Sequence, residues 1–256
     1  MSQQTLVVTG AAGGVGRALL HALDPRAYRV ALVGRDRSRL DGVIAGLPKA
    51  LAAVAIEADV SQAAGADAAI REAAERLGEA PTQLAHCVGT TLLAPLHRTT
   101  DTQYRECLAA NLDSAFFTLR AWVQHRLKAD NPAGAAVLFS SVVALIGVGN
   151  HEAIAAAKGA IASLVPATAA TYGAQRIRIN GIAPGLTRTG ATERLFAAKG
   201  AEEQITAQYP LGRYARAEDQ ARAAAWLLSD EASWITGQVL PVDGGFTAIR
   251  PMVRPR

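Results

Sequence analysis

Thr9 to Arg17 reads T-G-A-A-G-G-V-G-R, and the reading of this stretch decides the fold. An apolar run of β-type residues, Leu6-Val7-Val8, leads into it, and a helical pattern over Val15–Ala22 follows. A strand that turns sharply into a helix leaves several backbone N–H groups unpaired at the helix start. Those groups and the helix dipole together make a phosphate site. Gly10, Gly14 and Gly16 suit a tight turn, a close backbone approach to pyrophosphate and close helix–strand packing, with Thr9 and Val15 among them in the turn. A glycine-rich turn that binds nothing has the same composition, so the surrounding βαβ pattern is what gives the motif its meaning.

Outward from this stretch the chain alternates. Strands are predicted over Thr5–Thr9, Arg29–Val33, Ala53–Glu57, Gln83–Cys87, Ala135–Ser140, Arg176–Gly181 and Gln238–Val242. Helices are predicted over Val15–Ala22, Arg37–Ala45, Ala64–Leu77, Asp101–Lys128, Glu152–Tyr172 and Glu218–Ser229, with Pro166 expected to kink the fifth. Near-continuous apolar strands separated by helices imply a parallel sheet covered on both faces. Right-handed crossovers then give a Rossmann-type, doubly wound α/β fold of about seven strands, with ligands at the carboxyl ends of the strands. No repeat, linker or composition break divides the 256 residues, which read as a single domain over 1–256.

Half the residues are hydrophobic, and no apolar run reaches the length needed to span a membrane. Met1-Ser2-Gln3-Gln4 leads straight into a strand, so no signal peptide is expected. Cys87 and Cys107 lack metal-like spacing and are expected as reduced thiols in a cytoplasmic protein. The net charge of +4 is mildly basic, with an Arg cluster at Arg35, Arg37 and Arg39 and a tail carrying Arg250, Arg254 and Arg256. Aromatics are too sparse, and basic residues too scattered, for a nucleic-acid face. The tail arginines read as solvated charge.

The second strand ends Val33-Gly34-Arg35-Asp36. An acid directly after this strand would hold the ribose hydroxyls of NAD and repel a 2′-phosphate. Gly34 leaves room there, and the Arg35 guanidinium pairs well with phosphate, which favours NADP over NAD despite the neighbouring Asp36.

Thr9-Gly10-x-x-x-Gly14-x-Gly16 resembles the fingerprint of the short-chain dehydrogenase/reductase family, and further matches run almost to the C-terminus. Asp59-Val60 resembles the family's site for the adenine amino group. Asn111 resembles its helix Asn that holds a proton-relay water. Ser140-Ser141 resembles its strand-end serine segment, with Ser141 at the catalytic position. Lys158 resembles its ribose-binding lysine. Asn180-x-x-x-Pro184-Gly185-x-x-x-Thr189 resembles the segment that seats the nicotinamide carboxamide, and Thr236 to Gly245 its last strand. The resemblance implies a nicotinamide cofactor, a small-molecule substrate and a homodimer or homotetramer associating through the Ala-rich helix Ala153–Ala170.

Two departures stand out. The family's signature tyrosine lies four residues before its lysine, and here that position is Ile154. The family's Asn-Asn-Ala-Gly is here His86-Cys87-Val88-Gly89, which keeps only Gly89 for the backbone approach. Hydride addition to a carbonyl creates an alkoxide that needs a proton donor within about 3 Å, and losing one costs roughly 100- to 10,000-fold in rate. Ile154 has no ionisable group. His151 lies one turn before Ile154 and on the same helix face as Lys158, which makes it the candidate replacement. Tyr209 and Tyr214 fall in a segment, 188–216, that resembles the family's substrate lid, and lid packing is expected of both. Leu195, Phe196 and Ile205 in that segment suit a largely apolar substrate.

These readings converge on an NADP(H)-dependent oxidoreductase of carbonyl or alcohol substrates with a Tyr-less site, using Ser141, Lys158, Asn111 and His151. Two alternatives compete. One is a non-catalytic NADP-binding subunit partnering an active relative. The other is a non-redox lyase or cyclase with His151 as base.

Overall fold

The computed structural model describes residues 3–250, so Arg254 and Arg256 of the tail lie outside the described residues. In chain order the elements are β1 (Gln4–Thr9), α1 (Gly14–Ala22), β2 (Tyr28–Gly34), α2 (Arg37–Ala45), β3 (Ala52–Glu57), α3 (Ala63–Leu77), β4 (Gln83–His86), α4 (Asp101–Leu108), α5 (Ser114–Leu127), β5 (Gly134–Phe139), α6 (Glu152–Tyr172), β6 (Ile177–Pro184), β7 (Thr187–Arg188), α7 (Ala201–Thr206), β8 (Ala215–Arg216), α8 (Ala217–Leu228) and β9 (Val239–Val242). Seven strands form one sheet in the order β3-β2-β1-β4-β5-β6-β9, with every described pairing parallel. This is the doubly wound α/β fold expected from the alternating pattern.

Neighbouring residues of a strand point to opposite faces, so a strand buried on both sides must be apolar throughout. In β1, Val7 packs with α3, α5 and α6, whereas Leu6 and Val8 pack with α1, α2 and α8. All three are fully buried. The strand order reverses between β1 and β4. Connections diverge there and leave a crevice at the carboxyl edge, where Gly10 and Cys87–Gly89 emerge.

The structure corrects two expectations. The single helix predicted over Asp101–Lys128 is two helices joined by a π turn at Ala109–Asp113. No Gly or Pro marks that site, and the helical periodicity runs through it. The second correction concerns membrane length. Glu152–Gln175 is long and apolar enough to cross a membrane, with a mean hydropathy of 1.4. Its Ile161 and Val165 are nevertheless fully buried in the core beside β6, so the apolar character serves packing against the sheet. The helix continues through Pro166 without a break.

Candidate functional site

Gly10 follows β1 with φ +68°, a conformation that L side chains rarely adopt. A Cβ there would lie 2.8 Å from the carbonyl of Cys87 and 2.9 Å from Val88 N. A Cβ on Gly16 would lie 2.6 Å from Gly10 O, and one on Gly14 2.7 Å from the Thr189 methyl. Each glycine therefore answers a different backbone or side-chain approach, Gly14 that of Thr189. Gly10, Gly13, Gly14 and Arg17 line a cavity of about 1060 Å³ that extends past Arg35, Asp59 and Val60 at one end and Gly89 and Thr189 at the other. Thr9 and Gly16 are buried behind the turn, and Val15 packs against the α1 side of the core. A second cavity of about 840 Å³ opens at the amino ends of β1, β4 and β5. Of its three guanidiniums, Arg126 and Arg178 are occupied by main-chain carbonyls of the loops they brace, and Arg176 donates to Asn131 Oδ1 at 3.2 Å.

At the β2 end of the larger cavity, the charges are unequal in availability. Asp36 caps α2, accepting from Arg39 N at 3.1 Å and Ser38 Oγ at 2.7 Å. These hydrogen bonds hold its carboxyl below the usual range. Arg17, Arg35 and Arg39 also line the cavity, and among the described residues none of them pairs with a carboxylate. Three unpaired guanidiniums around a capped carboxylate suit a phosphate better than a diol. Arg17 and Arg39 were not singled out from the sequence. Arg17 closes the glycine stretch and Arg39 belongs to the Arg35–Arg39 cluster, so both signals were present. Asp59 accepts from Ser61 N and Oγ through Oδ1 alone, and Oδ2 has no partner among the described residues.

The corner at the other end is built on β4, β5, α6 and the π turn. A Cβ on Gly89 would lie 3.0 Å from Asn111 Oδ1 and 3.3 Å from Lys158 Nζ, so these two groups converge on one notch. Asn111 is fully buried, accepting from Thr90 N at 3.2 Å and donating to Cys107 O at 2.9 Å. Lys158 Nζ donates to Phe139 O at 2.8 Å. Burial brings the ammonium down to about 8, with nearby Cys107 and Cys87 opposing that shift. Ser140 is buried and donates to Lys158 O at 2.8 Å, which ties β5 to α6. Ser141 is half-buried, and its Oγ accepts from Val143 N at 3.3 Å. The serine O–H itself has no acceptor among the described residues.

Ile154 is 5% exposed and packs in a small apolar cluster with Cys107, Ala153 and Ala157, against Leu92, Leu112 and Val143. No other phenol fills its place. Tyr209 Oη accepts from Leu186 N at 2.7 Å and its ring stacks on Phe246. Tyr214 Oη donates to Glu202 at 2.8 Å and accepts from Arg188 at 3.1 Å. Tyr28, Tyr104 and Tyr172 do not line the cavity. His151 stands at the start of α6, where Nδ1 lies 2.7 Å from Gly149 O and, as that oxygen only accepts, carries the proton. His151 is not among the residues lining the cavity, and neither are Asn111, Ser141, Ile154 and Lys158, which lie behind Gly89 and Cys107 or beyond them.

His86 and Cys87 divide the second departure between them. His86 is buried and bonded at both ring nitrogens, 2.8 Å to Thr9 Oγ1 and 3.1 Å to Ser114 Oγ. Burial, with the Lys158 charge adding, pushes it down to about 3. Cys87 lines the cavity, and burial raises its thiol to about 12, so it is no nucleophile at neutral pH.

Pro184 ends β6 paired with Val242 of β9, and Gly185 follows it with its N donating to Val242 O at 3.1 Å. Thr189 reaches the cavity with Gly190 and Ala191. The segment 188–216 is pinned at its base by the pairing of β7 with β8. Phe196, one of the apolar residues of this segment, is buried under Arg188 and edge-on to Tyr214. Arg194 closes the segment onto the cavity rim by donating to Thr91 O at 3.0 Å.

Known proteins share this architecture throughout. A family model described as enoyl-(acyl carrier protein) reductase matches residues 10–247. The chain is 33% identical over 254 residues to 2-(S)-hydroxypropyl-CoM dehydrogenase 3 of Xanthobacter autotrophicus, covering 97% of this chain and 98% of the relative. It is 35% identical over 225 residues to a protein of the same organism named inactive 2-(S)-hydroxypropyl-CoM dehydrogenase 2, covering 86% and 96%. The crystal structure of an oxidoreductase of the short-chain dehydrogenase/reductase family from Burkholderia thailandensis superposes with a TM-score of 0.84 at 33% identity, covering 97% and 94%. With its sheet order, its glycine turn and its full-length relatives in agreement, the chain belongs to the short-chain dehydrogenase/reductase family.

Proposed function

We propose that the protein is an NADP(H)-linked oxidoreductase that interconverts a carbonyl group and its alcohol on a small, largely apolar molecule, and does so without a phenolic acid. The observation that carries this reading is the convergence of Lys158 and Asn111 on the notch at Gly89. Burying an ammonium with a single described acceptor is destabilising, and a fold that had no use for the charge would be more stable without it. The Arg17, Arg35 and Arg39 guanidiniums would hold the 2′-phosphate, the N–H groups of the Gly10–Gly14 turn the pyrophosphate, and Asp59 the adenine amino group.

The nicotinamide, when bound, supplies or accepts the hydride. The free O–H of Ser141 donates to the substrate oxygen and polarises it. The Lys158 ammonium offsets negative charge developing at that oxygen and holds the ribose. The proton comes from solvent through the Asn111–Lys158 corner, because Ile154 has none to give. His151, whose Nδ1 proton is held by Gly149 O at the start of α6, has no part in this path. Assay of the purified protein on a panel of ketones and alcohols tests the reading. Slow turnover with NADPH that disappears in Ser141→Ala and Lys158→Met is expected, and no turnover with either cofactor overturns it.

A second reading, an NADP-binding subunit that serves an active relative, is favoured by the sealed packing around Ile154. The exposed small residues Ala156, Ala167 and Ala170 on α6 would let a partner's helix approach closely, in a homo-oligomer or with a relative. Co-purification with a tyrosine-bearing relative would support it.

A further inference from the structure

We infer that His86 is a positioning residue that ties the phosphate-binding turn to the π turn carrying Asn111, through a one-way chain of hydrogen bonds across β4. Thr9 and His86 are register partners on adjacent parallel strands, and Thr9 is the last residue before Gly10. On the far side, His86 reaches Ser114, the first residue after the π turn, and Ser114 Oγ lies 2.8 Å from Ala110 O within it.

The direction of every proton follows from the end of the chain. Ala110 O has no proton to give, so Ser114 donates its hydroxyl hydrogen there. Ser114 Oγ can then only accept from the ring, which places the proton on Nε2. A neutral imidazole has one N–H, so Nδ1 is bare and accepts from the Thr9 hydroxyl. The ring stays neutral because it is buried and faces the Lys158 charge. A protonated ring would carry hydrogen on Nδ1 and reverse the Thr9 bond, making the hydroxyl the acceptor. Thr9, His86 and Ser114 are each at most 1% exposed, so water cannot replace a lost link without opening the site. His86 meets both partners at once, one through each ring nitrogen. The consequence is mechanical coupling: the turn that cradles pyrophosphate and the turn that presents Asn111 share one buried brace.

The test uses the unliganded full-length protein. Long-range 15N NMR should show His86 as the neutral Nε2–H tautomer at neutral pH, and an Nδ1–H ring overturns the inference. Amide hydrogen exchange is then followed at residues 10–14 and 109–114. Thr9→Val and Ser114→Ala should each speed exchange at both segments by about tenfold, the equivalent of one lost buried hydrogen bond. The double variant should be no worse than the worse single one, and Ser114→Thr should restore the wild-type rates. If each variant loosens only its own segment, or if the two effects simply add, the coupling is wrong. Should Thr9→Val fail to fold, His86→Asn is expected to loosen both segments in the same way. NADPH that fails to bind the wild-type protein would sink the proposed function and leave these readouts intact.

Discussion

The nucleotide end and the reacting end of the proposed site meet at Gly89 but are constrained in different ways. At the nucleotide end, constraint is steric and backbone-borne. Gly10 has no room for a Cβ, and the three guanidiniums around Asp36 are left unpaired. At the reacting end of the proposed site, constraint rests on side chains. Ile154 completes an apolar cluster at the position where the resemblance implied a phenol, while Lys158 and Asn111 converge on Gly89. The difference teaches that holding a dinucleotide and moving a proton are separable. The first needs a backbone path that few substitutions permit. The second needs one ionisable atom, which a single codon removes without disturbing the packing.

The largest effect that would sharpen this contrast is expected from Ile154→Tyr. If the rest of the corner is competent, NADPH-dependent ketone reduction should rise roughly 100- to 10,000-fold, the range set by a general acid. The larger side chain should cost about 1–3 kcal/mol of stability. A folded variant with unchanged rate would show that the corner is closed to substrate. Next, Gly10→Ala forces a side chain against the main chain at Cys87 in a left-handed conformation, and should destabilise the fold by about 3 kcal/mol in chemical denaturation and abolish NADPH binding. Retained binding would break the claim that the nucleotide end is fixed by sterics. Arg35→Ala should weaken NADPH by about tenfold in calorimetry with NADH unchanged. Asp36→Ala should lower stability through loss of its helix cap while leaving the cofactor preference alone, and a shift in preference would show that the carboxylate reaches the ribose.

The smallest effect concerns pH. The neutral form of His86 is favoured in the fold, with a pKa of about 3 against an ordinary 6.5. The unfolded chain therefore binds more protons between those values, and this contribution to stability is full above pH 6.5 and lost as pH falls towards 3. Lys158 has the same sign at the other end of the scale, so stability should climb between about pH 8 and 10.5. Acid and alkaline denaturation of His86→Asn and Lys158→Met should each flatten one of these slopes, and Lys158→Met should melt higher than wild type at neutral pH.

The glycine turn, the seven strands and the order of helices were legible because each is written in local patterns. Positive φ demands glycine, strands buried on both faces demand unbroken apolar runs, and amphipathic helices repeat every three to four residues. Ile154 stands four residues before Lys158 by simple counting, and reading it as a replaced phenol is part of the proposal. The roles of Arg17, Arg39 and Asp36 were half legible. Their charges were visible, but which were free depended on whether Asp36 turned inward to cap α2.

What the amino-acid order determined alone was the fold class and the place of the glycine turn, because each depends on residues close together in the chain. Tertiary structure decided the rest. It broke the Asp101–Lys128 helix at the π turn, buried Phe196 beneath Arg188, and joined Thr9, His86 and Ser114 into one brace. Those outcomes turn on which distant groups meet in space, and a hydrogen bond or a packed ring has no signature in sequence until both partners have been brought together.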